Sequence, residues 1–377
     1  MIKIAVIGAS YLQLPLVQKI NEMGFESHCF AWDNVDSVCK GIAHFFHPIS
    51  IVDKEAILEK CREIQIDAIL SIASDVAVPT IAFVADKLGL RSNSIDSAII
   101  STNKFLMRSC FVKVGLNSPK FFLIDEQDSL TLINEFHYPL IVKPTDRSGS
   151  RGVTISNNQN ELTQNISRAV SESFEKKAIV EEFIEGPEYS VESISEDGVH
   201  TILAITEKVT SGPPYFVELE HHQPAKLNSL LEEQINQVVI SGLNALDVKF
   251  GASHTELKIS LKGIYIIEIG ARMGGDFIGS HLVELSTGYD YLKNTINISL
   301  GDKIEPFQKN EGKCSGIYFL SQLSSHLLPF FNDNTEEYFK LVEKKMLSTE
   351  LEEVLDSSNR TGYFIYQNDT KVILNEG

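Results

Sequence analysis

The sequence predicts a multidomain protein that combines an α/β domain with α+β parts. Its 377 residues are too many for one ordinary hydrophobic core and suit two or three domains. Residues 1–100 alternate apolar strands with helices, which is typical of a parallel sheet covered on both faces. Residues 188–210 are instead predicted as two consecutive strands joined at Asp197-Gly198, which is a turn signal.

The composition predicts a soluble protein that acts on small molecules. Hydrophobic residues make up 43% of the chain, and no apolar run approaches the roughly 18 residues of a membrane span, so we expect no membrane partner. The formal net charge of −18 would repel a polyanion, so we expect no nucleic-acid partner either. A small anion such as ATP can still bind where lysines and arginines converge.

The cysteines and the N-terminus predict a cytoplasmic location. The five cysteines are scattered and form no C-x-x-C pair, which favours reduced thiols and no structural zinc. The N-terminal IKIAVIGAS is too short, and too soon followed by polar residues, for a signal peptide.

The N-terminal domain, residues 1–100, is predicted to be Rossmann-like but unable to bind a dinucleotide. Gly8 ends the first strand, yet Ser10 and Gln13 stand where two further glycines are needed for the backbone to approach a pyrophosphate. Asp33 is therefore interpreted as a strand-end turn residue and not as a ribose ligand. This departure excludes an NAD-dependent oxidoreductase. The predicted strands are Ile2–Ile7, Ser27–Trp32 and Asp67–Ala73, and the predicted helices are Tyr11–Met23, Asp53–Glu63 and Val76–Leu88.

The middle domain is predicted over residues 101–305, and a small mixed C-terminal subdomain over residues 306–377. The first predicted helix has capping residues at Ser101–Lys104 and ends near Gly115. The predicted strands are Pro119–Ile124, Tyr138–Lys143, Val153–Ser156, Ala178–Ile184, Gly251–Ser260, Ile264–Ala271, Gly316–Leu320 and Gly362–Tyr366. The other predicted helices are Asp128–Phe136, Asn228–Leu246 and a helix between them that ends near Ser173. Gly212–Pro224 is predicted as a loop.

The segment IVKPTDRSGSRGV, residues 141–153, contains a lysine and a run of small residues in the reverse order of a Walker phosphate-binding loop. Lys143 precedes the run Ser148–Gly152, whereas the lysine of a Walker loop closes the run. The segment is therefore either a plain connection between two strands or part of a nucleotide site that places its lysine on a strand.

Two glutamates are predicted to face each other across a hairpin. If residues 261–263 form a three-residue loop, Glu256 lies directly opposite Glu268, where like charges are destabilising. Either Mg²⁺ binds between them, or Lys258 and Arg272 on the same face neutralise them in an ion-pair cluster. A two-residue loop would place the glutamates on opposite faces. The glutamate face also carries His254 and Gly270, and the opposite, packed face carries Leu257, Ile259, Ile267, Ile269 and Ala271.

Six short segments in a fixed order resemble the ATP-grasp family of carboxylate–amine ligases, in its branch of amino-acid ligases, carbamoyl-phosphate-synthase-like and biotin-carboxylase-like enzymes. They are Lys104, Lys143, SGSRGV (148–153), VEEFIEGPEYSVE (180–192), HTELK (254–258) and EIGAR (268–272). The resemblance covers nearly the whole chain. It implies an ATP-grasp fold at residues 101–305, with a lid subdomain at about residues 118–185, in which two sheets clasp ATP.

The resemblance implies an ATP site. Lys104 and Lys143 would reach the phosphates, and the small loop residues would close over them with backbone N–H groups, to which Arg151 can add a charge. These loop residues are Ser148, Gly149, Ser150, Arg151 and Gly152. The adenine would be read by the Glu181 carboxylate and by the backbone of Glu182 and Ile184, with Phe183 packing beside them. Glu188 either binds the ribose hydroxyls or is a solvated surface residue.

The resemblance also implies a metal site and a catalytic arginine. Glu256 and Glu268 would hold one or two Mg²⁺ ions, or Mn²⁺, between the β- and γ-phosphates. Gly270 stands where the family often has Asn, so water would replace one protein ligand. Arg272 would bind the substrate carboxylate or the transferred phosphoryl group. Arg272, Lys143 and Glu268 are therefore the predicted catalytic residues.

Two further segments are predicted to contact the substrates. Gly274, Gly275 and Asp276 would form a tight turn, where Asp276 either anchors a substrate amine or caps a helix. Glu218, His221 and His222 are candidates to contact or deprotonate a nucleophilic amine. Adjacent histidines on a strand point to opposite sides, so we expect at most one to act; both can equally be surface histidines.

The predicted function is ATP-dependent amide formation. A carboxylate attacks the γ-phosphate of ATP, and an amine then displaces phosphate from the acyl phosphate. Amino acids or small peptides are the favoured substrates, because EIGARMGGD resembles a segment of amino-acid ligases. Activation of bicarbonate as carboxyphosphate and a nucleotide-binding module without catalysis stay open as alternatives. By analogy with the family, a homodimer is possible.

Overall fold

The chain folds around one parallel and two antiparallel sheets. The computed structural model describes every residue except 126–136, 309–311, 333–338, 349, 352, 355 and 375–377. The helix predicted at Asp128–Phe136 lies outside the described residues. Within the described part, none of the helices has the length and apolar character needed to span a bilayer.

The N-terminal sheet is parallel, with the strand order β3-β2-β1-β4. Its strands are β1 (Lys3–Ile7), β2 (Glu26–Phe30), β3 (Phe45–His47) and β4 (Ala68–Leu70), and its helices are α1 (Leu14–Glu22), α2 (Lys54–Ile64), α3 (Val78–Leu88) and α4 (Ile95–Thr102). Ile4, Val6 and Ile7 of β1 are fully buried, as expected for an inner strand of a parallel sheet. The predicted α/β domain is therefore confirmed. Strand β3 escapes prediction because only two of its three residues are apolar.

The second sheet, here called the lid sheet, is antiparallel with the order β5-β8-β6-β7. Its strands are β5 (Phe121–Asp125), β6 (Leu140–Pro144), β7 (Thr154–Ser156) and β8 (Lys177–Glu182), and its helix is α6 (Gln159–Glu172). Asn158 caps α6 by accepting from two N–H groups of its first turn. Leu162 and Ala169 then pack on Leu140 and Val142.

The third sheet, here called the large sheet, has eight strands in the order β13-β12-β9-β10-β11-β14-β16-β15. Its strands are β9 (Glu188–Glu196), β10 (Val199–Thr210), β11 (Glu218–Gln223), β12 (Gly251–Ser260), β13 (Gly263–Gly270), β14 (Cys314–Leu320), β15 (Lys340–Met346) and β16 (Gly362–Asn368). The remaining α-helices are α5 (Lys104–Lys113), α7 (Ser229–Ala245), α8 (Val283–Thr287), α9 (Tyr291–Leu300) and α10 (Leu328–Asn332). Helix α7 packs Val239 and Leu243 against Ile266 and Ile269 of β13. The strands of residues 306–377 thus extend the same sheet that carries β12 and β13.

One predicted helix is confirmed, one helix was not predicted, and one predicted loop needs correction. The helix predicted from Ser101–Lys104 is α5, which Asn103 caps, whereas α4, which ends at Thr102, was not predicted. The loop predicted at Gly212–Pro224 ends in strand β11, which pairs with β10 and β14. Its sequence ELEHHQ lacks apolar alternation, so local pattern gives no strand signal there.

Candidate active site

The lid sheet and the large sheet enclose a cavity of about 170 Å³. The predicted site residues that line it are Lys104, Lys143, Ser148, Gly149, Ser150, Glu181, Glu182, Phe183, Ile184, Glu188, Glu218, Glu256, Glu268 and Arg272. The predicted site residues that do not line it are Arg151, Gly152, His221, His222, Gly274, Gly275 and Asp276. The structure therefore brings together the ATP, metal and arginine residues and sets most of the predicted substrate residues apart from them.

The hairpin of β12 and β13 pairs Glu256 with Glu268, as predicted from the sequence. The predicted three-residue loop is wrong, because Ser260 pairs with Gly263 and leaves only residues 261–262 between the strands. A two-residue loop alone would have placed the glutamates on opposite faces.

A β-bulge at Ile267 restores the register. Leu257 pairs with Ile266 and Glu256 with Glu268, so Ile267 is the extra residue. The bulge turns Ile267 toward the cavity, while Ile266 packs in the core. The predicted burial of Ile267 on the opposite face is therefore wrong.

Each of the two glutamates accepts a hydrogen bond from a buried lysine. Lys208 Nζ lies 2.6 Å from Glu256 Oε1, and Lys104 Nζ lies 2.9 Å from Glu268 Oε1. Burial acts to raise the pKa of Glu256, but Lys208 and then His254 hold it well below its usual range. The two carboxylates can face each other because cations from other elements offset their charge.

The two glutamates do form ion pairs, which was one of the two alternatives predicted for them, but their cations are not the predicted ones. Lys258 and Arg272 were the expected partners of the glutamates; Lys258 Nζ instead lies 3.9 Å from Glu188 Oε2, and Arg272 pairs with Asp75. Lys208 also reaches Glu188, at 2.9 Å between Nζ and Oε1. Glu188 is thus held at the cavity wall by two lysines and is no freely solvated surface residue.

Glu181 holds Lys143 in place. Its carboxylate lies 2.7 Å from Lys143 Nζ and 2.7 Å from Arg108 Nε, and all three side chains are buried. Burial lowers the pKa of Lys143, against the opposing effect of Glu181. The role predicted for the Glu181 carboxylate, reading adenine, stays a prediction, and in the structure each of its oxygens accepts from a cation. Its place in the structure is that of a positioning residue for Lys143.

The segment after Glu181 borders the cavity with backbone and one aromatic ring. The Glu182 N–H donates to the Lys120 carbonyl at 3.0 Å, so this donor is already used. The ring of Phe183 lies 6.0 Å from that of Phe216, and Lys258 Nζ lies 5.2 Å from its centroid. Ile184 is buried at the cavity wall. These residues form an apolar wall of the kind that a purine ring would pack on.

The loop after β6 presents small residues and a different arginine from the one predicted. Arg151 is exposed, whereas Arg147 lines the cavity and stacks on Phe174 with 3.9 Å between the guanidinium carbon and the ring centroid. The Arg147 carbonyl accepts from Lys104 Nζ at 2.5 Å. Gly152 has φ +71°, and a Cβ there would lie 2.9 Å from Pro144 Cγ. Glycine is therefore required where the end of this loop packs against Pro144 of β6.

Arg272 joins the cavity to the N-terminal domain. Its Nη2 donates to Asp75 Oδ2 at 2.7 Å, and despite its burial this carboxylate raises the pKa of Arg272 above its ordinary value. A Cβ at position 270 would lie 3.0 Å from Asp75 Oδ1. The Arg272–Asp75 pair therefore occupies the space that an Asn at position 270 would need, which is the physical reason for Gly270.

A buried His254–Glu192 pair supports the turn after Arg272. Burial acts to lower the pKa of His254, but Glu192, which is hydrogen-bonded to its Nδ1, outweighs it and raises the pKa to about 9. The Gly274 N–H donates to Glu192 Oε2 at 3.1 Å. A Cβ at Gly274 would lie 2.7 Å from both Glu192 and His254, so glycine permits this close approach.

Asp276 is paired with an arginine, and the two histidines face opposite ways. Arg360 Nη1 and Nη2 each donate to Asp276 at 2.7 Å, and the residue that caps the following helix is Phe277. His221 Nε2 lies 3.5 Å from Asp276 Oδ2, while His222 Nδ1 is hydrogen-bonded to the Tyr366 hydroxyl. Both histidines are buried, which excludes the surface interpretation. His222 therefore lies away from the cavity. Asp276 does not cap the following helix, so that predicted role is wrong.

The residues present fit a magnesium ion that is completed by its substrate. Among the described residues no group of three or more His, Cys, Asp or Glu side chains could hold a metal alone. Mg²⁺ commonly takes one or two carboxylates together with phosphates and water. Glu256 and Glu268 supply two such carboxylates on one wall of the cavity.

Comparison with known proteins identifies the fold of the domain that carries this cavity. Residues 136–280 match the ATP-grasp domain family. Residues 136–280 are an ATP-grasp domain. Over its whole length, the chain is similar to the crystal structure of an L-amino acid ligase from Bacillus licheniformis, with 21% identity, a TM-score of 0.81, and coverage of 98% of this chain and 94% of that one. The ATP-grasp fold predicted from the sequence is confirmed.

Among curated proteins, the chain is 29% identical over 272 residues to an alanine–anticapsin ligase of Bacillus subtilis, which covers 63% of this chain and 57% of that protein. It is 25% identical over 263 residues to the dapdiamide A synthase of Enterobacter agglomerans, which covers 67% of this chain and 60% of that protein. The chain thus spans less than two thirds of the length of either relative.

Several residues that hold the ATP-grasp site escape sequence reasoning. They are Asp75, Arg108, Arg147, Glu192, Lys208 and Arg360. Most pair with a residue far away in the chain, and no local pattern marks them. One signal was available but not used: Arg147 stands just upstream of SGSRGV, in the same predicted phosphate-binding loop as Arg151.

Proposed function

We propose that the protein is an ADP-forming ligase that activates a carboxylate with ATP and joins it to an amine. The observation that carries the proposal is the shared cavity, in which Lys104, Lys143 and Arg272 face two paired carboxylates. Three cations and a pair of potential metal ligands around one cavity provide what phosphoryl transfer needs, namely charge stabilisation and positioning.

Each of these residues has a defined task in the proposal. Lys104 and Lys143 bind phosphate oxygens, and Glu181 with Arg108 keeps the Lys143 side chain extended toward them. Residues 147–150 cover the phosphates. Glu256 and Glu268 would hold Mg²⁺, which when bound offsets the charge of the phosphates. Arg272, held by Asp75, orients the substrate carboxylate and stabilises charge on the transferred group.

The proposed reaction has two steps. The substrate carboxylate attacks the γ-phosphorus, the bond to the β,γ-bridging oxygen breaks, and ADP leaves with that oxygen. The amine then attacks the carbonyl carbon of the acyl phosphate, loses a proton, and phosphate leaves. Glu218 lines the cavity and is placed to accept a proton from the amine, while buried His221 lies next to Asp276.

Amino acids are the proposed substrates for both positions, because two relatives with significant similarity are named as a ligase of alanine and a dapdiamide synthase. A cytoplasmic location and the absence of a nucleic-acid partner remain part of the proposal, on the basis of the net charge of −18 and the scattered cysteines.

Hydroxylamine trapping tests the proposal. The protein is incubated with ATP, Mg²⁺, hydroxylamine and a panel of amino acids, and hydroxamate and ADP are measured. We expect one or a few acids to give both products in equal amounts. ADP release that responds to bicarbonate and to no amino acid would contradict amide formation and favour carboxyphosphate chemistry.

Glu268→Gln tests the residue assignment. We expect it to lower hydroxamate formation about 100-fold, because a neutral amide would hold Mg²⁺ less tightly than the carboxylate does, with little change in thermal unfolding. Glu305→Gln is the matched control, since Glu305 pairs with Lys293 outside the cavity. Equal activity of the two variants would remove Glu268 from the site.

A further inference from the structure

A turn near the C-terminus contacts two of the residues that are predicted to handle the amine. The turn comprises Ser357–Asn359 and the following Arg360. Ser357 Oγ donates to Glu218 Oε2 at 2.9 Å, and Arg360 donates to both oxygens of Asp276 at 2.7 Å. One short segment therefore fixes two carboxylates that come from different parts of the chain.

Arg360 is held rigidly. Its Nε donates to the Ser357 carbonyl at 2.9 Å, and its guanidinium carbon lies 3.8 Å from the centroid of the Phe319 ring. The side chain is only 8% exposed. With its fork bound to Asp276, its Nε bound to the turn and its face on a ring, the arginine fixes Asp276 in one orientation.

The backbone that carries Asp276 is strained. Asp276 and Phe277 have φ values of +50° and +62°, a left-handed conformation that residues other than glycine adopt at an energetic cost. The same turn follows Arg272, and its Gly274 lies against Glu192. The bidentate bond from Arg360 is one of the contacts that keep Asp276 in its strained conformation.

His221 faces the carboxylate that the turn fixes. Its ring is fully buried, and neither ring nitrogen has a hydrogen bond of normal geometry among the described residues. Its Nε2 lies 3.5 Å from Asp276 Oδ2, and its ring packs edge-on to Phe319 at 5.7 Å between centroids. A buried imidazole is costly without a polar partner, so the position of Asp276, which Arg360 sets, matters for His221.

We propose that the turn Ser357–Arg360 is a positioning element of the amine subsite, and this inference rests on the proposed ligase function. By fixing Glu218 and Asp276 beside His221, the turn determines whether an amino acid can serve as the nucleophile. Acid activation takes place at the lysine- and arginine-lined cavity and does not depend on the turn.

The test separates amine use from acid activation. Hydroxylamine is small and is supplied at high concentration, so its reaction with the acyl phosphate needs no positioning. Ser357→Ala and Arg360→Lys are assayed with ATP and the preferred acid, once with hydroxylamine and once with the preferred amino acid as the amine. Lys313→Ala is the matched control, because it breaks the exposed pair with Asp369 in the same C-terminal segment.

We expect Ser357→Ala and Arg360→Lys to lower kcat/KM for the amino-acid amine about tenfold, the effect of losing one bond to a charged group. Their KM for ATP and their rate of hydroxamate formation should stay within about twofold of the wild type. Lys313→Ala should change neither reaction.

Two outcomes would overturn the inference. If amine use is unchanged in both variants, or if amine use and hydroxamate formation fall together, the turn does not act on the amine. The proposed function is tested separately in the same experiment, since a wild-type protein that forms no hydroxamate with any acid refutes the ligase proposal and this inference with it. Thermal unfolding of Arg360→Lys, which keeps the charge, checks that the fold is intact.

Discussion

Two glycine-bearing loops follow strands β1 and β6, and their surroundings differ in kind. After β1, Gln13 fills the space in front of Gly8: its Oε1 accepts from the Ser10 hydroxyl at 2.7 Å, and its Nε2 donates to the Ile72 carbonyl at 2.7 Å. Gln13 is only 3% exposed. After β6, residues 148–150 border an open cavity, with Lys143 and Lys104 beside them.

The comparison shows what a glycine loop needs in order to bind phosphate. The loop after β1 satisfies its own polar groups through Gln13. In the described part of the chain, the nearby Lys40 is half-exposed and paired with Asp33, so it is not a desolvated cation. The loop after β6 leaves space and has two buried lysines next to it. Free space and desolvated cations, more than the glycines themselves, distinguish an anion site from a structural turn.

The largest expected effect is that of removing a lysine beside each loop. Lys143→Met should lower ATP-dependent turnover about 100-fold or more, because a buried cation that stabilises phosphate charge is lost. Lys40→Met should leave turnover within about twofold of the wild type. ADP release and thermal unfolding are measured for both variants. A Lys143→Met protein that is folded and active would remove the basis of the comparison.

A smaller effect is expected from adding one methyl group to each loop. Gly152→Ala forces φ +71° on alanine and places its Cβ 2.9 Å from Pro144, a strain of about 1–2 kcal/mol. We expect a roughly tenfold weaker nucleotide affinity by calorimetry, since 1.4 kcal/mol corresponds to a factor of ten.

The matched variant in the other loop should act on stability instead. Position 8 has φ +108°, and the Cβ of an alanine there would lie 3.0 Å from Gln13. We therefore expect Gly8→Ala to lower the free energy of unfolding by about 1–3 kcal/mol and to leave nucleotide affinity unchanged. If Gly8→Ala weakened nucleotide binding as much as Gly152→Ala does, the two loops would not differ in function.

The fold was predictable from the sequence where a pattern is local. The apolar strands β1 and β4, the helices that end at glycine, such as α3 at Gly89, and the β9–β10 hairpin at Asp197-Gly198 all carry their signal within a few residues. Strand β11 could not be predicted, because its buried polar residues find partners on β10 and β14. Burial of polar residues depends on distant partners that no window of sequence contains.

The site was predictable to the extent that residue types identify anion and metal ligands. The pairing of Glu256 with Glu268 was predicted correctly, but for the wrong reason. The loop is one residue shorter than predicted, and the unforeseen bulge at Ile267 adds one residue to β13, so the two errors cancel. The cations that compensate the glutamates were not predictable. Lys208 and Lys104 are 48 and 164 residues away from them in the chain, and only the three-dimensional fold brings them together.

The smallest expected effect concerns pH and the N-terminal sheet alone. His47 of β3 stacks on Phe30, and burial, aided by nearby His28 and Lys60 and opposed by Glu63, lowers its pKa to about 4. The folded-state pKa lies below the ordinary value of about 6.5, so the neutral ring contributes stability that is fully present above pH 6.5 and is lost as the pH falls toward 4.

His47→Phe keeps an aromatic ring at this position and removes the titration. We expect the midpoint of denaturant unfolding to fall less between pH 6.5 and pH 4 in this variant than in the wild type, with nucleotide affinity at pH 7 unchanged. Identical pH profiles would show that His47 does not titrate in this range, and the N-terminal sheet would lose its expected acid sensitivity.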